Sequence, residues 1–322
     1  MEKNGSFLSD VVSGLTASPK RLSSKYFYDD AGDKLFHYIM NQPEYYLTCA
    51  EHEILRTSAE AIFSNIDINL GLRIIEPGAG DGFKTKLLIN HLLSKCFDII
   101  YNPIDISSNV LDILCKNMSK IFPQLICVPI VGDYSNIHTT IEKDNVTRLL
   151  LFLGSNLGNY NQDEDIGILR NFGAVLNEGD FLLLGVDFIK DPTRVLAAYN
   201  DAKGVTAKFN YNLLKRINRE LGADFKIKNF MHYPVYDPVL RQAESYLISK
   251  TEHSVFIKAA DQHFTFGAWE PLNTEISRKF DHASLRRLAE ASGFTLVNNY
   301  FDINKDYCCS LWKKKLEVTK VS

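Results

Sequence analysis

The stretch Ile74–Thr85, IIEPGAGDGFKT, decides the fold class, because an apolar run leads directly into three alternating glycines and a Lys-Thr pair. A P-loop, G-x-x-x-x-G-K-[ST], matches from Gly78 at every defined position except one, where Phe83 replaces glycine. A dinucleotide-binding turn, G-x-G-x-x-G, fails at the same residue. What remains is Glu-x-Gly-x-Gly-x-Gly beginning at Glu76, a turn that brings backbone close to a ligand without needing a pyrophosphate.

Apolar strands alternate with amphipathic helices on both sides of this turn. The pattern predicts helices at Ser107–Met118, Asp163–Leu176 and Ala283–Ala291. It predicts strands at Leu72–Pro77, Asp98–Asp105, Leu125–Val131, Arg148–Leu153, Phe181–Val186, Phe294–Tyr300 and Tyr307–Trp312. Strands this apolar are buried on both faces, as in a parallel sheet covered by helices. The predicted fold class is therefore α/β, a doubly wound Rossmann-like sheet with an antiparallel C-terminal edge.

An insertion with a different residue pattern follows the fifth predicted strand. It begins with a helical stretch, Thr193–Leu221, and continues with strand-like runs such as Glu244–Ser249 and His253–Ile257. We expect an inserted substrate-binding domain that also includes the aromatic-rich N-terminal segment. The predicted boundaries are 57–190 and 280–322 for the sheet domain, and 1–56 and 191–279 for the substrate-binding domain.

Composition narrows the class of partner. With 322 residues, 45% of them hydrophobic, and a net charge of −3, the chain is suited to a packed core and has no general attraction to nucleic acid. No signal peptide or membrane-spanning run is visible. Six cysteines form no CxxC pair and eight histidines stand singly, so we predict no metal. The expected setting is cytoplasmic and reducing, with a monomer that acts on a small molecule and not on nucleic acid or a membrane.

Acidic residues at successive strand ends point to the ligand. Asp105 ends the second predicted strand, where a carboxylate can accept both ribose hydroxyls, and Asp133-Tyr134 follows the third, where an adenine would lie. Lys84, one turn into the helix, can pair with a carboxylate. The turn from Glu76 to Gly82 resembles motif I of the S-adenosylmethionine-dependent methyltransferases, and the two further acids stand at strand ends where that fold places them. Alternatives stay open: Asp105 also suits a helix cap, Asp133 a turn, and an NAD enzyme also uses an acid after strand two.

A closer resemblance covers nearly the whole chain. Its blocks keep one family's order: KYFYD with PEYY, FLGSNLGN, LLLGVDFIKD, YNDAKGVTAKFN, NRELGADF and TEISRKF. They are similar to the histidine-specific N-alpha-methyltransferases, which convert histidine to its trimethyl betaine, hercynine, in ergothioneine biosynthesis. The resemblance implies a class I methyltransferase that uses S-adenosyl-L-methionine and releases S-adenosyl-L-homocysteine.

The resemblance also assigns roles, block by block. It implies that Asn159 and Tyr199 hold the substrate carboxylate, that Glu275 and Ser277 hold the imidazole, and that Tyr28 lies in the substrate pocket. The residues implied in donor binding are Gly78, Lys84, Asp105, Asp133 and Tyr134. Without it, both tyrosines suit a core, Asn159 suits a turn, and Glu275 and Ser277 suit a solvent-facing strand surface.

The expected catalysis relies on alignment, with no dedicated catalytic base among the predicted residues. Ser245 replaces a bulky methionine found in the family, so the pocket is expected to be roomier or more polar there. Three functions are therefore weighed. The first is methylation of the α-amine of L-histidine. The second is the same chemistry on another aromatic amino acid or a ring-modified histidine. The third is a non-catalytic ligand sensor.

Overall fold

The computed structural model describes residues 2–69, 71–95, 97–132, 141 and 144–316. Within it the chain divides into two compact units. The first unit comprises Met1–Tyr46 and Lys190–Lys279, and the second comprises Leu47–Ile189 and Phe280–Ser322. The second unit is thus interrupted in sequence by most of the first.

The helices and strands are numbered in chain order. The helices are α1 (Glu2–Thr16), α2 (Asp30–Met40), α3 (Leu47–Phe63), α4 (Thr85–Ser94), α5 (Ser108–Ile121), α6 (Gln162–Val175), α7 (Pro192–Ala198), α8 (Val205–Leu221) and α9 (His282–Ala291). The strands are β1 (Lys20–Arg21), β2 (Leu72–Pro77), β3 (Ile99–Asp105), β4 (Ile126–Cys127), β5 (Ile130–Val131), β6 (Thr147–Phe152), β7 (Phe181–Asp187), β8 (Phe230–Asp237), β9 (Gln242–Ser249), β10 (His253–Ile257), β11 (Gln262–Phe266), β12 (Pro271–Arg278), β13 (Phe294–Phe301) and β14 (Tyr307–Lys314).

The second unit is built on one twisted sheet. Its strand order is β13-β14-β7-β6-β2-β3-β4, with β5 also paired to β3. Strands β2, β3, β6 and β7 run parallel, whereas β14 is antiparallel to both β7 and β13. The predicted doubly wound α/β sheet with an antiparallel C-terminal edge is confirmed.

Helices cover both faces of this sheet. On one face, Phe172 of α6 and Leu285 of α9 share a buried cluster with Cys308 of β14. The adjacent residue, Tyr307, reaches the other way, where its hydroxyl contacts Glu51 of α3. Because successive strand residues point to opposite faces, α3 lies opposite α6 and α9. Burial on both faces explains why these strands read as continuous apolar runs.

The first unit contains a sheet of order β1-β12-β9-β8 and a separate β10-β11 hairpin. Strand β12 is antiparallel to β9 and parallel to β1. Helix α8 packs its apolar side on the sheet, where Phe209 and Leu213 join Leu247 of β9 and Leu272 of β12 in one buried cluster. One sheet face of this unit is therefore covered by helix, which gives it an interior in which polar groups can be held.

Two predicted elements are interrupted. The predicted strand Leu125–Val131 is present as β4 and β5 only, on either side of Pro129, which has no N–H to continue the ladder. The helical stretch Thr193–Leu221 is two helices, α7 and α8. The break occurs because Gly204 adopts φ +67°, and the Asp201 carboxylate accepts hydrogen bonds from the first amides of α8.

The first unit boundary also differs from the sequence-based one. A boundary between residues 56 and 57 would cut α3, which runs from Leu47 to Phe63. This helix packs against α4 and β14 of the second unit, and the first unit ends before it, at Tyr46. Which unit binds substrate stays a prediction.

Cys115 of α5 and Cys127 of β4 form a disulfide that the sequence did not predict. The bridge closes because α5 packs beside β4, a proximity that a separation of 12 residues does not reveal. Cys49, Cys308 and Cys309 are free. Among the helices that the structure describes, none is long and apolar enough to cross a membrane.

The glycine turn after β2 depends on left-handed backbone. Gly78, Gly80 and Gly82 have φ of +69°, +53° and +63°, a region that side-chain-bearing residues avoid. A Cβ at Gly82 would lie 2.7 Å from a methyl group of Leu114, whereas one at Gly80 would meet nothing within 4 Å. The alternation of glycine in this motif is therefore a conformational requirement at three positions, and at Gly82 it is a packing requirement as well.

We predict that Gly82→Ala destabilises the second unit more than Gly80→Ala does. Both changes carry a left-handed penalty of about 1–2 kcal/mol, but only Gly82→Ala also forces Leu114 to move. Urea denaturation of the two variants measures the difference. Equal free energies of unfolding would contradict the packing argument, because Gly80→Ala is the matched control for backbone strain.

Candidate functional site

The glycine turn is fixed to the end of the neighbouring strand. The amide of Gly78 donates a hydrogen bond of 2.8 Å to the carbonyl of Ile104 in β3, and β3 ends one residue later at Asp105. The Asp105 carboxylate accepts from the amide of Ser107, 2.9 Å away, and retains acceptor capacity on a group with two oxygens. Two predicted donor-binding residues, Gly78 and Asp105, are thus held together at the carboxyl edge of the parallel sheet, where α/β folds bind ligands.

Lys84, the third predicted donor-binding residue, forms an ion pair with Glu51 of α3. Its side chain keeps 22% of its surface exposed, while that of Glu51 is 1% exposed. An ammonium has three N–H donors, so the pair with Glu51 leaves Lys84 able to bind a ligand carboxylate as well. Glu51 therefore orients this lysine instead of replacing its predicted role.

Sequence reasoning assigned no role to Glu51, which the structure places beside Lys84. Its carboxylate accepts hydrogen bonds of 2.8 Å from the amide of Gly154 and 2.8 Å from the hydroxyl of Tyr307. With Lys84 it thus has three partners, from β14, from the loop after β6 and from the glycine turn. A buried carboxylate is stable only with such compensation.

Glu76, the acid of the glycine motif, is committed to internal contacts. Its two oxygens accept from Thr85, at 2.6 Å, and from Tyr101, at 2.5 Å, and all three side chains are buried. Burial raises the pKa of Glu76 to about 7, with both hydrogen bonds acting in the opposite direction. Glu76 therefore ties β2 to α4 and β3, which shapes the turn from beneath.

Of the remaining predicted residues of the second unit, Asn159 is among the described residues and the other two are not. Asn159 ends a short 3₁₀ helix, Asn156–Asn159, which follows β6 through a left-handed pair at Gly154 and Ser155. Asp133 and Tyr134 lie outside the described residues, so the prediction for them stands as made. Among the described residues, no cluster of three or more His, Cys, Asp and Glu side chains has the arrangement of a metal site.

In the first unit, a β-bulge in β12 determines which face of the sheet carries Glu275 and Ser277, the residues predicted to bind the imidazole. The pairing of β12 with β9 shifts between Asn273 and Glu275, so that Thr274 is the extra residue. The Thr274 hydroxyl is buried and lies 2.6 Å from Oδ1 of Asn210 on α8. After the bulge, Glu275 is the partner of Ser245 and no longer continues the alternation that began at Leu272.

The bulge places Glu275, Ser277 and Lys279 on the sheet face that α8 covers. Cross-strand partners share a face, and the partners here are Ser245 for Glu275 and Ala243 for Ser277, both fully buried. Lys279, which follows β12, is also buried. Glu275 and Ser277 are therefore not on a solvent-facing strand surface, the simpler interpretation that their spacing allowed.

Ser245 is a direct partner of Glu275. Its hydroxyl donates to Oε2 of Glu275 at 3.1 Å, a contact that a methionine side chain cannot make. Burial raises the pKa of Glu275 to about 7, while the Ser245 hydrogen bond and the charge of Lys279 act to lower it. The carboxyl thus changes charge near neutral pH, an unusual property that is common at functional sites.

Lys279 joins two other predicted residues. Its ammonium donates to the hydroxyl of Tyr199 at 3.0 Å and to the hydroxyl of Ser277 at 2.9 Å, and it lies 4.9 Å from the centre of the Tyr199 ring. The lysine is 4% exposed and Tyr199 is 6% exposed. The structure therefore brings Tyr199, Ser277 and Glu275 to one face around a buried cation that sequence reasoning missed.

Tyr28 lies in an aromatic group elsewhere in the first unit. Its ring meets Phe36 and Phe209 edge to face, with centroids 5.5 Å and 5.7 Å away, and 41% of the residue is exposed. Its role in the substrate pocket rests on the resemblance. Because Tyr28 is exposed, the alternative interpretation as a core tyrosine does not hold for it.

Comparison with known proteins decides the family. Residues 7–314 match the model of the SAM-dependent histidine-specific methyltransferases. The chain belongs to this family. It is 34% identical over 305 residues to the histidine N-alpha-methyltransferase of Mycobacterium tuberculosis, covering 95% of this chain and 94% of that protein. It is 36% identical over 303 residues to the enzyme of the same name from Mycolicibacterium smegmatis, covering 94% and 93%.

More distant relatives of the methyltransferase differ in their named substrate. An L-tryptophan methyltransferase of Psilocybe serbica is 25% identical over 325 residues, covering 92% of this chain and 90% of that protein. Among solved structures, an S-adenosylmethionine-dependent methyltransferase from Clostridium acetobutylicum is 11% identical, with a TM-score of 0.46, covering 89% of this chain and all of that one. The substrates named for the relatives of similar sequence therefore differ.

We expect Glu51→Ala to destabilise the methyltransferase by about 1–3 kcal/mol, because it leaves the buried hydroxyl of Tyr307 and the amide of Gly154 without their acceptor. Chemical denaturation measures this loss. Glu60→Ala is the matched control, since Glu60 lies on the same helix with a side chain that is 71% exposed. That control should stay within about 0.5 kcal/mol of the parent. Equal effects of the two variants would show that the Glu51 contacts contribute nothing to stability.

Glu275 should also affect stability in a pH-dependent way. A carboxyl whose pKa is raised in the folded state binds its proton more tightly there, so the free energy of unfolding falls as pH rises through about 7. Glu275→Gln removes this penalty and should stabilise the protein at about pH 8.5 but hardly at about pH 4. Thermal denaturation at both pH values tests the sign. Glu252→Gln, in an exposed turn, serves as control and should show no such trend.

Proposed function

We propose that this chain transfers methyl groups from S-adenosyl-L-methionine to the α-amino group of L-histidine, towards N-alpha,N-alpha,N-alpha-trimethylhistidine. The observation that carries the proposal is the shared covered face of β12, where Glu275 and Ser277 lie beside a buried lysine that also contacts Tyr199. Family membership supplies the reaction class, and this arrangement of polar groups supports the substrate.

The imidazole ring matches the two side chains proposed for it. A neutral imidazole presents one N–H donor and one unprotonated nitrogen. The Glu275 carboxylate can accept from the N–H, and the Ser277 hydroxyl can donate to the other nitrogen. An indole has a donor but no second nitrogen, so it would leave Ser277 without an acceptor. The pair therefore favours histidine over tryptophan.

The substrate carboxylate is proposed to accept hydrogen bonds from Tyr199 and Asn159. A phenol and an amide both donate without carrying charge, which suits recognition of a carboxylate whose amine must stay reactive. Holding the ring at one end and the carboxylate at the other restricts the amine between them. The exposed ring of Tyr28 is proposed to line the same pocket, where aromatic faces attract the cationic product by about 0.5–2 kcal/mol.

The donor is proposed to bind Gly78, Lys84, Asp105, Asp133 and Tyr134. The described part of this set fits the group: left-handed glycines open the turn, Asp105 presents a carboxylate for hydroxyls, and Lys84 presents an ammonium for a carboxylate. When bound, S-adenosylmethionine supplies an electrophilic methyl group. The contribution of the protein is alignment of the amine with that methyl, which can supply about 7–11 kcal/mol. An α-amine needs no dedicated catalytic base, because it loses its proton often enough near neutral pH.

A cytoplasmic location and a monomeric state, expected from the sequence, belong to the same proposal. Pathway partners are not part of it. The substrate is a free amino acid, since the proposed site grips both a side-chain ring and an α-carboxylate.

The deciding experiment is mass spectrometry of products after purified protein is incubated with S-adenosylmethionine and one amino acid at a time. Histidine should gain mass in steps of one methyl group. A gain on tryptophan or on a ring-modified histidine, with none on histidine, would replace the proposed substrate and keep the chemistry. No gain on any amino acid, with donor binding intact, would favour a ligand sensor instead.

We predict that Glu275→Ala weakens histidine binding roughly 10- to 100-fold in calorimetry with S-adenosylhomocysteine present, because a hydrogen bond to a charged group is lost. Asp105→Ala is the matched control. It should weaken S-adenosylhomocysteine binding and leave the preference for histidine over tryptophan unchanged. Unaltered histidine affinity in Glu275→Ala would remove Glu275 from the site.

A further inference from the structure

The buried ammonium of Lys279 makes specific polar contacts with the residues proposed to bind the substrate. It donates to the hydroxyl oxygens of Tyr199 and Ser277, at 3.0 Å and 2.9 Å, and its charge acts on the Glu275 carboxyl. Burying a lysine is costly unless hydrogen bonds and nearby charge compensate it. All four side chains belong to the first unit.

We propose that Lys279 is a positioning residue, which fixes the hydroxyls of Tyr199 and Ser277 as hydrogen-bond donors toward the amino-acid substrate. This inference rests on the proposed function, and it specifies which groups of that site act as hydrogen-bond donors to the substrate. The substrate class that it selects is an amino acid with a free carboxylate and a neutral ring that carries one N–H and one unprotonated nitrogen.

The argument follows from what an ammonium can do. Lysine has three N–H donors and no acceptor, so in both contacts the hydroxyl oxygen must accept. The hydroxyl proton of each partner then points away from Lys279 and is donated to another group. Tyr199 can in this way donate to a carboxylate, and Ser277 to an unprotonated ring nitrogen. Without the lysine, either hydroxyl is able to rotate and accept instead.

The charges of Glu275 and Lys279 favour the same class of substrate. Glu275 and Lys279 are on one face of the strand end, so an acid and a base stand on either side of Ser277. The carboxylate favours a ring N–H, while the ammonium disfavours a positively charged ring near Ser277 and favours an anionic group near Tyr199. A ligand with a neutral ring and a carboxylate satisfies both ends.

The test compares ligands that carry or lack the carboxylate. L-histidine and histamine share the ring, so calorimetry of both, with S-adenosylhomocysteine present, separates the Tyr199 contact from the Ser277 contact. We expect Lys279→Met to weaken histidine binding roughly 10- to 100-fold and histamine binding by a clearly smaller factor. Lys279→Arg, which keeps N–H donors, should restore part of the histidine affinity. In turnover, KM should rise more than kcat falls.

The matched control is Lys20→Met. Lys20 lies in the same sheet, on β1, where its ammonium pairs with Glu270 at 2.5 Å and with none of the proposed ligands. Its loss should leave both affinities unchanged. Equal loss of histidine and histamine binding in Lys279→Met, without rescue by arginine, would show a structural lysine and overturn the proposal.

A second variant keeps the test valid if Lys279→Met does not fold. Tyr199→Phe removes only the hydroxyl, and it should weaken histidine but not histamine; unchanged histidine affinity would overturn the inference. Failure of the proposed function gives a different result, because the parent protein itself would then not bind histidine. If the parent binds tryptophan instead, tryptophan and tryptamine take the place of the histidine pair, and the same difference in Tyr199→Phe decides the inference.

Discussion

The first unit depends on one extra residue in β12. A strand that alternated regularly from Leu272 would place Thr274 and the residues two and four positions after it on the covered face, and would turn Glu275 and Ser277 away from it. The bulge at Thr274 reverses this order, and the buried contact between Thr274 and Asn210 of α8 holds it. Without the bulge, the acid, the hydroxyl and the lysine would face away from the helix. The geometry of the proposed site is thus a consequence of strand register.

The second unit uses the same strategy with different means. Its donor turn is held by left-handed glycines, and its lysine is held by a buried acid, Glu51. In both units a buried charge is retained because it directs an opposite charge or a hydroxyl, not because the pair adds much stability. Such groups are expensive to bury, and in the proposed site they direct other side chains toward the ligand.

Much of the sheet could be predicted from the sequence, because the spacing of apolar residues and the burial of a strand are both visible in its residue pattern. Strands buried on both faces are continuously apolar, and β2 was predicted at its observed bounds. The bulge leaves no such trace, since Thr274 is an ordinary strand residue. Glu51 and Lys279 were invisible as site residues for a related reason: a charged residue normally reads as exposed, and only tertiary partners such as Tyr307 or Tyr199 explain its burial. The quoted resemblance covers the segment of Lys279, TEISRKF, but indicates none of its contacts.

Ser245 shows how one side chain can tune such a site. Its hydroxyl reaches Glu275, whose pKa burial raises to about 7, and the bond favours the ionised form that accepts a ring N–H. A methionine at this position would remove the donor and add bulk, so the carboxyl would hold its proton to higher pH. A protonated Glu275 distinguishes poorly between an imidazole and other rings, because it can both donate and accept. In the proposed site, this small polar residue therefore favours the ionised carboxylate near neutral pH, where an α-amine must also lose its proton to react.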